Sequence, residues 1–183
     1  LTEPGISTHS YQISVPKAKL WDIETPVLYT CRTELNFDDM KDTEEVQFGF
    51  RTFEVRNNNE FHFFCLNGKR IRHRSAIDWG YYALTGGYAT PEMALKSVKA
   101  AKAIGHNGIN FHRRIGEPLV LKYADELGLF LFEEPGAFHT LTRSEKLKFE
   151  PGSLQAKINL ERCRRMLIRD RNHPSLIIYN ISN

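Results

Sequence analysis

Along the first third of the chain, apolar and polar positions alternate. Val27, Tyr29, Cys31, Thr33 and Leu35 fall on one side of that alternation; Val46, Phe48 and Phe50 repeat it, and Phe53 and Val55 continue it. A period of two is the pattern of a half-buried strand. Asn36-Phe37-Asp38-Asp39 supplies turn residues between the first two runs. Two or three strands do not make a stable sheet protein alone, and an Ig-like sandwich needs about seven. Residues 1–57 are therefore expected to be the C-terminal strands of an Ig-like β-sandwich whose earlier strands lie outside this chain.

Asn57-Asn58-Asn59 marks a boundary. Phe61–Cys65 followed by Leu66-Asn67-Gly68-Lys69 predicts a hairpin with Asn-Gly at its turn. From Arg70 the pattern becomes strand–helix alternation. Ile71–Ile77 predicts a strand. Thr90-Pro91-Glu92 predicts a helix start, with Thr as N-cap and Pro at the first helical position. That helix should turn Leu95, Val98, Ala101 and Ile104 inward and end at Gly105. Gly108–Phe111 predicts a second strand. Pro118 opens a helix with Val120, Tyr123, Ala124 and Leu127 on one face, closed by Gly128. Leu129–Phe132 predicts a third strand. A third helix, residues 154–169, should bury Leu154, Ile158, Cys163, Met166 and Leu167, and Leu176–Ile181 predicts a fourth strand.

The order βαβαβαβ calls for a parallel sheet. Four strands and three helices in this length match half of an eight-fold barrel, which takes about 250 residues. Residues 58–183 are thus expected to be the N-terminal half of a TIM barrel, and the chain to be a piece of something larger at both ends. The fold class is α/β: the first half of a (β/α)8 TIM barrel preceded by the C-terminal strands of an Ig-like sandwich.

Composition adds little to this picture. The chain is 41% hydrophobic and 26% charged, with a net charge of +3. No apolar run approaches the roughly 20 residues of a membrane span, so no membrane partner is expected. The basic cluster Arg162, Arg164, Arg165, Arg169 and Arg171 reads as a solvated helix face and turn, so no nucleic-acid partner is expected. Cys31, Cys65 and Cys163 are odd in number and never paired as C-x-x-C; they read as reduced, buried thiols.

Candidate chemistry gathers just after each predicted barrel strand, where barrel enzymes place function. These residues are Asp78 and Trp79, then His112, Arg113 and Arg114, then Glu133 and Glu134, then Ser182 and Asn183. Together they suit a sugar or another polar metabolite. Trp79 could equally cap the barrel core, and His112 could be a hydrogen-bonded structural histidine. Adjacent Glu133 and Glu134 must face opposite sides of a strand, so only one can look into a pocket; the other is expected to form a salt bridge to a helix. His173, before Pro174, reads as packing. No G-x-G-x-x-G, P-loop, H-E-x-x-H or Cys/His metal spacing occurs.

The tail Asp170-Arg171-Asn172-His173-Pro174-Ser175-Leu176-Ile177-Ile178-Tyr179-Asn180-Ile181-Ser182-Asn183 resembles the acid/base signature of glycoside hydrolase family 2. That family includes β-galactosidases, β-glucuronidases and β-mannosidases. Other blocks resemble it in the same order: Leu20-Trp21 with Glu24–Tyr29, Phe48-Gly49-Phe50-Arg51, Leu66-Asn67-Gly68-Lys69, and Ala124–Leu129 followed by Glu133-Glu134.

The resemblance implies a retaining exo-β-glycosidase, β-galactosidase-like, using two carboxylates about 5–5.5 Å apart. It places the acid/base Glu at position 184, just beyond Asn183, and the nucleophile after the seventh strand. No catalytic carboxylate would then lie in the chain, and the chain alone should be inactive. The substrate-binding set it implies is Asn183, Asp78, Trp79, His112, Arg113 and Glu134. The implied partners are a carbohydrate substrate, the remainder of the polypeptide and a possible second copy of the parent. Magnesium is used by some members, but Phe138 and Thr140 stand where they carry Glu and His, so no cofactor is expected. Asp78-Trp79 replaces an Arg-His pair, Arg113 replaces a substrate-contacting His, and Tyr179 replaces the usual Trp. A non-catalytic carbohydrate-binding or scaffold protein on the same fold is the alternative reading, and residue 184 discriminates between the two.

Overall fold

The structure, a computed structural model, describes residues 5–136 and 152–181. It opens with an antiparallel hairpin, β1 (Tyr29–Phe37) and β2 (Met40–Phe48), in register from Tyr29↔Phe48 to Phe37↔Met40. Asp38 turns it with φ 47°, a conformation that Asp tolerates better than most residues. The expected half-burial of this hairpin is not found: only Tyr29 and Phe48, at the end away from its turn, are partly covered. No other described strand pairs with it, so alternation alone has nothing to bury against. Cys31, expected to be buried, is exposed for the same reason, whereas Cys65 is buried and Cys163 half-buried.

A three-stranded meander follows: β3 (Phe53–Asn57), β4 (His62–Leu66) and β5 (Lys69–Ile71). Its second turn is the predicted Asn-Gly, with Asn67 at φ 50° and Gly68 at φ 79°, as a tight hairpin turn requires at both central positions. β3 and β4 pair across the Asn57–Asn59 segment. The expected single strand Ile71–Ile77 is instead two elements in two sheets, β5 and β6 (Ser75–Asp78). The cause is Asn107. Its buried amide donates to the Arg72 carbonyl at 2.8 Å and accepts from the Arg74 N–H at 2.7 Å, pulling the link out of strand pairing.

The second half is a parallel sheet in the order β6, β7 (Gly108–Phe111), β8 (Phe130–Glu133), β9 (Leu176–Tyr179). The helices between them are α1 (Pro91–Ala103), α2 (Pro118–Leu127) and α3 (Leu154–Asp170). Sequence order equals spatial order, as in successive βα units of a barrel. Thr90 caps α1 as predicted, its hydroxyl accepting from the Met93 N–H. Ala94, Val98 and Ala101 are buried, while Ile104 is 71% exposed. Val98 and Ala101 thus face inward as expected, while Ala94 is buried in place of Leu95 and the helix end at Ile104 is not covered. On α3 the difference is larger: Met166 is buried as expected, but Leu154, Ile158 and Leu167 are exposed, and Asn159 and Asp170 are buried in their place.

One core fills the space between the sheet and α1 and α2, around Phe111, Val120, Leu121, Leu129, Leu131 and Leu176. A second lies at the N-terminal ends of the strands, where Trp21, Leu66 and Phe130 are fully buried. Trp21 donates its indole N–H to the Asp125 carbonyl at 2.8 Å. Arg51 donates to the carbonyls of Pro174 (2.9 Å) and Leu176 (2.7 Å). The Asp125 carboxyl meets His173 Nδ1 at 2.5 Å and accepts the Ser175 N–H at 3.0 Å. No side chain fits at Gly49 or Gly128. A Cβ there would lie 2.8 Å from Pro174 and 2.1 Å from the Ile23 carbonyl oxygen, respectively. These contacts lock the N-terminal strands onto the base of the half barrel and fix where β9 begins.

Candidate active site

At the opposite, C-terminal end of the strands, β8 delivers two adjacent acids. As the pleat requires, they part company. Glu134 turns to the open side of the sheet, only 3% exposed. Its Oε2 accepts the Arg113 N–H at 2.8 Å, and Asn180 Nδ2 donates to its Oε1 at 3.4 Å. Its own N–H donates to the Arg114 carbonyl. Glu134 therefore ties the tips of β7, β8 and β9 together.

Arg113 sits at φ 58°, a region that costs a non-glycine residue energy. The Glu134 carboxyl holds it there. Gly136 makes room, since a Cβ at that position would lie 2.7 Å from the Arg113 carbonyl oxygen. The Arg113 side chain swings over Trp79, its guanidinium carbon 5.6 Å from the ring centroid. His112 meets the same indole edge-on at 4.2 Å, and its N–H donates to the Asp78 carbonyl. The Asp78 carboxyl accepts the Gly80 N–H, turning the chain sharply after β6. Trp79 stays 44% exposed and stacks parallel to Tyr81.

The structure thus brings five of the six predicted binding residues, Asp78, Trp79, His112, Arg113 and Glu134, to one end of the sheet. Asn183, together with Ser182, lies outside the described residues. Phe138 and Thr140 also lie outside them, and a phenyl ring offers a metal no donor.

Glu133 faces the helices and is fully buried. The expected salt bridge is not what it makes. Its Oε2 accepts the Gly116 N–H at 3.1 Å. The nearby cation, Arg169, is taken by Asp170, with two contacts of 2.7 Å. Burial, and then the Asp170 charge, push Glu133 up to about 8. Burial and the same two acids raise Tyr179 to about 12.

Protein-family profiles account for nearly the whole chain. Glycosyl hydrolases family 2 matches residues 2–51, and the TIM barrel domain of that family matches residues 55–183. The chain belongs to glycosyl hydrolases family 2. It is 29% identical over 175 residues to a β-galactosidase of Pseudoalteromonas haloplanktis, covering 93% of this chain and 16% of that protein. A β-galactosidase of Priestia megaterium is 30% identical over 186 residues, covering 96% of this chain and 18% of that protein. Among solved structures, the apo form of Bacteroides uniformis β-glucuronidase 3 superposes with a TM-score of 0.78 at 30% identity, covering 92% of this chain and 20% of its own. The chain therefore spans less than a fifth of the length of the curated relatives it matches.

Within this family frame, Asn180 and Gly116 are site-supporting residues that sequence reasoning passed over. Asn180 was readable only as strand, because its role depends on Glu134 facing the same side. Gly116 carried a signal of a kind, a glycine two residues before the helix-opening Pro118. A Cβ there would lie 2.5 Å from Leu121 and 2.6 Å from Phe111.

Proposed function

We propose that this chain is part of a retaining exo-β-glycosidase that removes terminal β-linked sugars by double displacement. In this reading the Glu expected at position 184 protonates the leaving oxygen and then activates water. The nucleophile comes from a later strand. Asn183 hydrogen-bonds the sugar 2-hydroxyl, a contact that strengthens as the oxocarbenium ion forms. Trp79 packs against the sugar face. Asp78, His112 and Arg113 contact its hydroxyls. Glu134 holds the loop that presents Arg113 and the strand that leads to the acid/base.

The observation that carries this reading is the position of Glu134 between Asn180 and the Arg113 N–H. It joins the strand that runs toward position 184 to the loop with the histidine and arginine. The names of the similar proteins support the reaction class. The test is hydrolysis of a panel of p-nitrophenyl β-glycosides by the full-length polypeptide carrying this chain, with residues 1–183 alone as a control. Turnover of at least one β-glycoside by the full-length protein is expected, with none above background by the control. Hydrolysis by the control, or binding without hydrolysis by a full-length protein lacking Glu at 184, contradicts it.

A further inference from the structure

We infer that Glu133, the acid that faces away from the pocket, is a positioning residue that fixes the loop carrying His112 and Arg113. Its carboxyl reaches across from β8 to the Gly116 N–H at 3.1 Å, 17 residues back in sequence. Gly116 is held on its other side as well, its carbonyl accepting from Arg169 Nη2 at 2.7 Å. A Cβ at Gly116 would run into Leu121 and Phe111 of the core, so this anchor point takes no side chain. Arg114 pairs with Glu117 in the same segment. Gly116 is therefore clamped through its main chain on both sides, by β8 and by α3, at the far end of the segment that Glu134 holds at Arg113.

The charges around this clamp are unequal. Asp170 and Arg169 face Glu133 from α3 and Tyr179 faces it from β9, while Glu117 lies close to Arg169. Arg169 closes on Asp170 with two contacts and gives a third to the Gly116 carbonyl. Glu133 is left without a cation of its own, beside the buried Asp170 carboxyl. A neutral carboxyl group meets these conditions at least cost, since a buried charge needs a partner. An amide has the same shape and keeps the acceptor for the Gly116 N–H, so Gln should replace Glu133 in this role and Ala should not.

The consequence for catalysis rests on the proposed glycosidase reading, but the clamp itself does not. In the full-length polypeptide, hydrogen exchange of peptides spanning 112–117 should rise at least tenfold in Glu133→Ala and stay within twofold of wild type in Glu133→Gln. On the β-glycoside that the wild type hydrolyses, Glu133→Ala should lose about 10- to 100-fold in kcat/KM, mostly through KM, and Glu133→Gln should restore it to within about threefold. If Glu133→Ala does not fold, Glu133→Asp, one methylene short of Gly116, should show the same loss in both measurements. Wild-type protection of 112–117 in a folded Ala or Asp variant overturns the inference, as does a uniform rise across the sheet. An unreactive wild type with the predicted exchange overturns only the glycosidase reading.

Discussion

The two ends of the parallel sheet are built on opposite terms. At the base, side chains bond to main chain and leave no slack: Arg51 to two carbonyls, Trp21 to a third, and Asp125 to the start of β9. At the top, polar groups stay accessible around Trp79, and a non-glycine residue, Arg113, is held in a costly conformation. Such strain at one end is tolerated because the other end over-determines the fold. The family-like blocks Gly49–Arg51, Asp125–Gly128 and His173–Ser175 all meet at the base. What reads as an active-site signature is, in these residues, mostly the foundation that aims β9 at the site.

This contrast can be broken most severely at the base. Asp125→Ala removes the partner of His173 and of the Ser175 N–H inside a buried contact. A loss of about 3–5 kcal/mol in unfolding free energy is expected, read by urea denaturation. Gly128→Ala forces a Cβ into the Ile23 carbonyl at φ 72° and should cost about 2 kcal/mol. A midpoint unchanged by either substitution would mean that the base does not hold the fold.

Glu133 sharpens the comparison through pH. Folded, it keeps its proton up to about 8, whereas an unfolded glutamic acid loses it near about 4.3. Between those values the folded state binds the extra proton. Stability should therefore fall as pH rises, by at most about 1.4 kcal/mol per pH unit, and level off above the upper value. Glu133→Gln should lack this component, so melting curves at pH 6 and pH 9 should lie closer together than in wild type. Equal pH responses of the two proteins would refute the assignment. The smallest expected effect is that of Trp79→Ala. Since Trp79 is 44% exposed, the melting temperature should barely move while KM rises about tenfold, or about 1.4 kcal/mol.

Much of this architecture was legible because it is local. The Thr90 cap, the Asn67-Gly68 turn, the glycines that close α1 and α2, and the strand–helix alternation each announce themselves within a few residues. The opposite facing of Glu133 and Glu134 followed from the pleat alone. What was not legible depends on distant partners. The break between β5 and β6 is made by Asn107, more than thirty residues on. The inward face of α3 adds the polar Asn159 and Asp170 to Met166 and leaves most of its apolar stripe exposed. The missing cation beside Glu133 follows from Arg169 choosing its sequence neighbour Asp170. Periodicity reports which residues could be buried and carries no information about which partner a charge selects.

The most direct test of the division between base and top is Glu134→Gln in the full-length polypeptide, with activity and urea midpoint measured on the same sample. The account predicts a fall in kcat/KM of about 100-fold or more with a midpoint within about 1 kcal/mol of wild type, because Glu134 organises the site and not the fold. Undiminished hydrolysis, or a loss of stability matching that of Asp125→Ala, would contradict it.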